Sequence, residues 1–262
     1  TSFKLFKKIN FNNYKMKFNY LDYKKEFDIN GYFVFRNFLS TDFVLKLIDD
    51  INNASGTEKY FDNTNNLRRV EKLFNKGENL IYLNSEILSL LKNIFKTNFT
   101  IFKDKFNSKP PGGEGFYAHY DGIFKFTDSN SNKKNGWYEY GDFFINALFA
   151  IDKCDKENGS IELAKFHKGD FNELFEKTKK DGTPALSQEV ENKTSFDVID
   201  LDAGDLIVFS NTCPHRSKKN NSKNDRRIIY YTYTLNEFGS KYKKYFNDKK
   251  KIKVVSKALS EK

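Results

Sequence analysis

The feature that most restricts the fold is a change of hydrophobic period near Asn98. Beyond it the chain reads as a succession of short strands: FTIFKDKFNSK (99–109), FYAHYD (116–121), DFFINALFAI (142–151), SIELAKF (160–166), FDVIDL (196–201), DLIVFS (205–210) and RIIYYTYTL (227–235). PPGG (110–113), ENG (157–159) and DAG (202–204) divide them as turns. Before Asn98 the pattern is mostly helical. A helix around Asp22–Asn30 stops at Gly31, GYFVFRNF (31–38) is a strand, and Ser40 or Thr41 caps a helix running to about Asn53. After a polar loop (54–66), a further helix starts near Asn84 and Ser85 and carries Ile87, Leu88, Leu90, Leu91 and Phe95. Helices followed by strands predict an α+β protein with a β-sandwich or barrel core.

Such a core needs large apolar side chains, and 28 Phe and 15 Tyr among 262 residues supply them for a single globular domain. Two long insertions, 122–141 and 167–195, interrupt the strands. Long loops in compact domains tend to be functional lids or disordered. The first leaves directly from Asp121 and carries Phe124, Phe126 and the sole tryptophan, Trp137, so it is expected to form a mobile lid.

The net charge of +10 invites a nucleic-acid partner, but its distribution argues otherwise. Residues 1–25 carry seven Lys against Asp22, and 241–262 carry nine Lys against Asp248 and Glu261. The body, 26–240, is slightly acidic, with 29 basic and 32 acidic residues. A nucleic-acid-binding domain would show its basic stripe on the folded surface. The basic ends, an N-terminal arm over 1–19 and the C-terminal segment 241–262, are expected to be solvated. Two cysteines, Cys154 and Cys213, make no disulfide framework. Neither a membrane-spanning run nor a signal-peptide core is evident. A cytoplasmic protein without nucleic-acid or membrane partners is expected.

Within FYAHYD, His119 and Asp121 are two residues apart, so on a strand they share a face while Tyr120 takes the other. One imidazole and one carboxylate are two of the three ligands of the 2-His-1-carboxylate triad that suits non-haem Fe(II). The chain offers two more histidines, His167 and His215. His215 follows the strand DLIVFS, 94 residues beyond Asp121, and a barrel can bring such strands together over one ion. Arg226 and Arg227 follow 11 and 12 residues later, on a strand expected to return beside it. A fixed guanidinium there suits a bidentate grip on a dicarboxylate, and Ser217 can add a hydroxyl bond to the same group. A surface ion pair with Asp225 or Asp205 is the alternative use of the arginines.

Four segments together resemble the phytanoyl-CoA dioxygenase family of Fe(II)/2-oxoglutarate oxygenases: GYFVFRNFLSTD, KDKFNSKPPGGEGFYAHYD, ALFAIDKCDKENGSIELAKFHKGD and DLDAGDLIVFSNTCPHRSKKNNSKNDRRIIYYTY. The resemblance implies a double-stranded β-helix (jelly-roll, cupin-like) core with flanking N-terminal helices. It implies Fe(II) held by His119, Asp121 and His215, with His167 a non-ligand, and 2-oxoglutarate held by Arg226, Ser217 and Asn107. It also implies dioxygen-dependent hydroxylation with release of succinate and CO2. Within the family the chain is similar to the bacterial branch of small-metabolite hydroxylases that includes the 2-aminoethylphosphonate hydroxylases. Tyr120 in place of the frequent Gln, and Ala164-Lys165-Phe166 in place of Pro-Gly-Ser, depart from the family pattern.

The strand preceding the H-x-D motif bears on the substrate. Lys103, Lys105, Asn107 and Lys109 alternate with Phe102, Asp104 and Phe106. Lysines in a row also defend an exposed sheet edge. If Asn107 faces inward as the resemblance implies, Lys105 and Lys103 face inward with it by the period of two. A buried lysine needs an anionic partner or loses its proton. The expected substrate is therefore a small anion or zwitterion, 2-aminoethylphosphonate-like or amino-acid-like, with Tyr117 adding a hydrogen bond and Phe124 and Trp137 closing over it. A phytanoyl-CoA-like acyl hydroxylase, a cupin-type metal enzyme of another class and a catalytically silent binding module are the alternatives; a nucleic-acid demethylase would need a basic or aromatic groove in a body that is net acidic.

Overall fold

The computed structural model describes residues 19–128 and 131–251. The chain opens with α1 (Tyr20–Asn30), β1 (Tyr32–Phe35) and α2 (Thr41–Asn53), then a hairpin of β2 (Glu58–Phe61) and β3 (Leu67–Glu71), then α3 (Glu78–Phe95). The strands that follow are β4 (Phe99–Lys109), β5 (Phe116–His119), a small β6 (Phe126–Thr127) and β7 (Lys133–Lys134) ribbon, β8 (Phe144–Ala150) and β9 (Ile161–Leu163). Two short helices, α4 (Phe171–Glu176) and α5 (Gln188–Lys193), precede β10 (Asp197–Val198), β11 (Leu206–Ser210), β12 (His215–Ser217) and β13 (Arg226–Leu235). Helix α6 (Tyr242–Lys251) is the last element described.

Two antiparallel sheets make the core. The larger has seven strands in the order β1-β11-β8-β13-β4-β3-β2, and the smaller has four, β10-β9-β12-β5. This is the jelly-roll plan of an α+β protein. Strand period two sorts the large sheet's residues between its faces. Ile145, Ala147 and Phe149 of β8, with Ile229, Tyr231 and Tyr233 of β13, join the cluster that includes α1–α3. Leu148, Ala150, Ile228 and Tyr230 turn the other way, into a second cluster with Ile161 and Leu163 of the small sheet. The space between the sheets is thus lined by alternate residues of β4, β8 and β13, which is where any inward polar residue must lie.

Several expectations from the sequence are corrected. The polar stretch 54–66 is not all loop: β2 lies in it, and β3 follows. Cross-strand partners supply what periodicity lacked, since β3 pairs with β4 over Arg69–Glu71. Helix α3 begins at Glu78, well before Asn84, because its cap comes from another helix. Asp50 of α2 accepts from the backbone N–H of Asn79 and Leu80 at 2.8 and 3.1 Å. A Cβ on Gly77 would stand 2.2 Å from the Asp50 carboxylate, so only glycine admits this cap. The segments 160–166 and 196–201 are strands only over Ile161–Leu163 and Asp197–Val198.

The C-terminal basic segment is also not wholly solvated. Helix α6 packs along β4: Tyr242 donates to Asp104 Oδ1 at 2.6 Å, Phe246 is buried, and Lys249 pairs with Glu71. The remainder of that segment, and the N-terminal arm apart from Asn19, lie outside the described residues. Among the described residues no helix is long and apolar enough to cross a membrane.

Replacing Asp50 with Ala removes the acceptor for two N-terminal amides of α3. It is expected to lower stability by about 1–2 kcal/mol, read as a reduced urea midpoint at unchanged slope.

Candidate active site

His119 ends β5 and His215 begins β12, and the two are direct partners in the antiparallel ladder. Their rings are 4.1 Å apart between centroids. His215 is therefore not in a loop after β11 but on a short strand of its own. Asp121 lies just past the end of β5 rather than on it. Its backbone N–H donates to the Asn211 carbonyl at 3.0 Å, and the Asn211 side chain donates back to its carbonyl at 3.1 Å. Gly122 follows at φ +80°, where a Cβ would meet the Trp137 ring at 2.6 Å, so the turn that presents Asp121 requires glycine.

One ligand atom from each of His119, Asp121 and His215 falls within 4.8 Å of the others, a set that can hold one ion. Both imidazoles are oriented by their own backbone. Nδ1 of His119 is 2.8 Å from the Tyr117 carbonyl, and Nδ1 of His215 is 3.0 Å from the Cys213 carbonyl. Each Nδ1–H is thereby used, leaving both Nε2 lone pairs for a metal. Burial pushes the His119 pKa down to about 3, with His215 adding to the effect, and burial likewise lowers that of His215. Burial alone would raise Asp121, but His215, Lys103, His119 and Lys105 outweigh it and hold the carboxyl at about 2. Neutral imidazoles and an ionised carboxylate are the protonation states a divalent ion requires.

A second layer holds the carboxylate. Asn146 on β8 donates to Asp121 Oδ2 at 2.9 Å and accepts from Thr232 on β13 at 2.8 Å. Asn146 and Thr232 are fully buried polar residues in otherwise apolar strands, the one signal in the sequence that could have singled them out. His167 stands apart from the triad, its Nδ1 hydrogen-bonded to the Tyr120 hydroxyl.

The triad opens into a cavity between the sheets, whose wall includes Arg226, Ser217, Asn107, Lys103, Lys105, Phe124 and Trp137. The two arginines part company as strand neighbours must. Arg227 leaves the cavity and makes a bidentate pair with Asp152, both bonds 2.8 Å. Arg226 is 4% exposed and has no ion-pair partner among the described residues, and its Nε lacks any acceptor. It does not stand beside His215 on a neighbouring strand, as the sequence led one to expect. β13 pairs with β4 and β8 in the large sheet, so Arg226 faces the triad from the opposite wall. Ser217, on the small sheet, accepts a hydrogen bond from Lys109 at 2.8 Å.

Lys103 and Lys105 face inward over aromatic rings, Lys103 4.2 Å from the Trp137 ring centre and Lys105 4.4 Å from that of Tyr230. Neither has an ion pair among the described residues. Burial pushes Lys103 down to about 7 and lowers Lys105 as well. Strict alternation fails at one point on this strand. A register shift opposite Thr232 and Tyr233 lets Phe102 join Trp137, Tyr140 and Phe144 in one cluster.

Two expected site residues are placed differently. Tyr117 packs 5.5 Å from the His119 ring and is not part of the cavity wall. Trp137 is 4% exposed and wedged among Phe102 and Phe144, and its backbone N–H donates to the Gly122 carbonyl at 3.1 Å. In this structure it is part of the packed cavity wall. Residues that sequence reasoning missed complete the lining: Tyr230, whose buried hydroxyl has no partner among the described residues, and Tyr60, Arg69, Glu71, Tyr245 and Lys249. The last two come from α6.

The profile of the phytanoyl-CoA dioxygenase (PhyH) family matches residues 27–228. The chain is 28% identical over 164 residues to a 2-aminoethylphosphonate dioxygenase from an uncultured bacterium, covering 63% of this chain and 56% of that protein. It is 26% identical over 152 residues to a methylphosphonate hydroxylase from Gimesia maris, covering 58% and 51%. The matches thus span about half the length of these curated relatives. Among solved structures, EctD from S. alaskensis with 2-oxoglutarate and 5-hydroxyectoine superposes at a TM-score of 0.63, 15% identical over 82% of this chain and 75% of that one. The epimerase SnoN, in complex with Fe3+, alpha ketoglutarate and nogalamycin RO, superposes at 0.62, 13% identical over 82% and 83%.

His119→Ala, Asp121→Ala and His215→Ala are each expected to lose Fe(II) in anaerobic metal titrations while His167→Ala retains it. Asn146→Ala should weaken the metal by about ten- to a hundredfold, as removal of an outer partner does elsewhere.

Proposed function

The chain belongs to the phytanoyl-CoA dioxygenase family, and from that membership we propose an Fe(II)- and 2-oxoglutarate-dependent oxygenase that hydroxylates a small anionic or zwitterionic molecule. The observation that carries the reading is the buried Arg226, a guanidinium with no carboxylate of its own, facing the same cavity as a 2-His-1-carboxylate set. A desolvated cation of this kind calls for an anionic ligand. His119, Asp121 and His215 would hold Fe(II) by three groups only, a donor set that would leave room for a chelating 2-oxo acid and dioxygen.

In this reading His119, Asp121 and His215 hold the metal through Nε2, a carboxylate oxygen and Nε2. Arg226 binds the far carboxylate of 2-oxoglutarate, with Ser217 and Asn107 beside it. When bound, Fe(II), 2-oxoglutarate and dioxygen supply the oxidising chemistry, with succinate and CO2 as by-products of hydroxylation. The protein's part is orientation and exclusion of water. Trp137 and Phe124 form an apolar wall beside Gly122, and Asn146 prevents Asp121 from rotating away from the metal.

Lys103 and Lys105 support an anionic group on the substrate, since both are half-buried in the cavity wall with no ion pair among the described residues. Glu71 lines the same cavity but is already paired with Lys249 and Arg69, so the net charge there is positive. The phosphonate-acting relatives fit this charge pattern, as do amino-acid-like zwitterions. An acyl-CoA chain does not, because its reacting carbons would lie between two lysines. The segment 122–141 closing over bound substrate remains part of the proposal for its described portion.

The test is succinate formation from 2-oxoglutarate, with and without Fe(II), stimulated by a panel of phosphonates, amino acids and acyl-CoAs. Small anions or zwitterions should stimulate it, and Lys105→Ala should lower that stimulation by about tenfold or more, the cost of removing a charge-assisted hydrogen bond. Stimulation by acyl-CoA alone, indifferent to Lys105, would refute the substrate class. Arg226→Ala should raise the KM for 2-oxoglutarate far more than Arg227→Ala, whose partner is Asp152.

A further inference from the structure

Beside Arg226 lies a second buried cation that the reading above does not use. Lys109, the last residue of β4, is paired in register with Arg226 of β13 and is 1% exposed. Its Nζ reaches three neutral oxygens: Ser217 Oγ at 2.8 Å, the Gly159 carbonyl at 3.0 Å and the Lys218 carbonyl. Gly159, at φ +72°, is bare of a side chain where a Cβ would come within 2.9 Å of that Nζ. Among the described residues neither Lys109 nor Arg226 has an ion pair. The groups that face Lys109 from the packed elements are Arg226 on β13, Arg68 on β3, the buried Cys154 thiol after β8 and Glu114 in the turn before β5.

The hydrogen-bond inventory of this cluster has two solutions. As an ammonium, Lys109 donates to both carbonyls and to Ser217 Oγ, and the Ser217 hydroxyl proton is free to point into the cavity. As a neutral amine, it has two N–H groups for the two carbonyls and a lone pair for the third contact. The Ser217 hydroxyl then donates to the amine and offers the cavity nothing. Lys109 thus decides whether Ser217 is a donor toward a ligand at Arg226.

We propose that Lys109 is a positioning residue of the co-substrate site that takes up a proton when a carboxylate binds at Arg226, switching Ser217 into a donor toward that carboxylate. Burial, followed by the repulsion of Arg226 and Arg68, pushes the Lys109 pKa down to about 6. A carboxylate between the two cations removes the main repulsion and favours the ammonium. The inference rests on 2-oxoglutarate being the ligand held by Arg226. By linkage, affinity is greatest where Lys109 is already protonated and falls as pH rises above its free value, about tenfold per pH unit for one proton.

The experiment is anaerobic calorimetric titration of the Fe(II)-loaded full chain with 2-oxoglutarate at pH 7.5, in two buffers of different ionisation enthalpy, with Kd followed from pH 6 to 8.5. The expected result is uptake of close to one proton per 2-oxoglutarate and a Kd that rises with pH. Lys109→Met, which keeps the bulk of the stem, should bind more weakly and lose both the uptake and the slope. Uptake indistinguishable from zero in the wild type, with binding intact, would overturn the proposal while leaving the co-substrate assignment standing. So would uptake in Lys109→Met equal to the wild type, since Lys103 would then be its source. Absence of 2-oxoglutarate binding to the wild type would overturn both. If Lys109→Met does not fold, Lys109→Arg, which stays charged throughout this pH range, takes its place: loss of the uptake there supports the proposal and unchanged uptake overturns it.

Discussion

The pairing of His215 with His119 across β12 and β5 is the contact on which the rest of the structure depends. It joins two segments nearly a hundred residues apart in sequence. It also buries both rings, and that burial lowers the pKa of each imidazole, with His215 adding to the effect on His119. Loop closure on this scale has an entropic cost that no local signal offsets. The small sheet recovers it by pairing β12 with β9 on its other side. Asp121 is then brought in by the Asn211 backbone and by Asn146, long-range contacts separate from the one that joins the two histidines.

The same cavity gathers cations that a folded protein ordinarily keeps in water. Arg226 is buried in its wall with Lys109 buried beside it, and Lys103 and Lys105 are half-buried, while nearby carboxylates are already engaged: Glu71 by Lys249, Asp152 by Arg227. Buried charge without a counter-ion is costly. The large sheet tolerates it here because three helices and a dense aromatic cluster on the opposite face bury apolar area at the same strands. Stability is supplied on one face of β4, β8 and β13, and ligand recognition is left to the other. Arg226, Lys103, Lys105 and the Glu71–Lys249 pair all line this one cavity, and Lys109 lies beside Arg226 in register.

Helix α6 lies beyond the family-matched region, which stops at residue 228. Tyr245 and Lys249 line the cavity, and Tyr242 anchors the helix to Asp104 on the reverse face of β4. The buried Trp137, packed against Phe102 and Phe144, is part of the same cavity wall.

Much of this was legible in residue order. The period-two strands from Phe99 onward, the H-x-D pair and the paired arginines specify an antiparallel core and a metal-binding chemistry, because side-chain period and ligand type are local properties. β4 matched its sequence run from end to end, and Gly31 and Ser40 marked helix boundaries by their own backbone chemistry. What only the tertiary structure decided were the relations between segments. The start of α3 depends on Asp50 in another helix, and the existence of β2 and β3 on pairing with β4. Arg226 approaches from the sheet opposite His215, while Lys109 meets Ser217 across 108 residues. Tyr117 drops out of the cavity although it is two residues from a ligand. A sequence states which groups are present and which way neighbours alternate. Which groups share a dry space is set by strand order and sheet packing, and those are chosen by burial of the whole core.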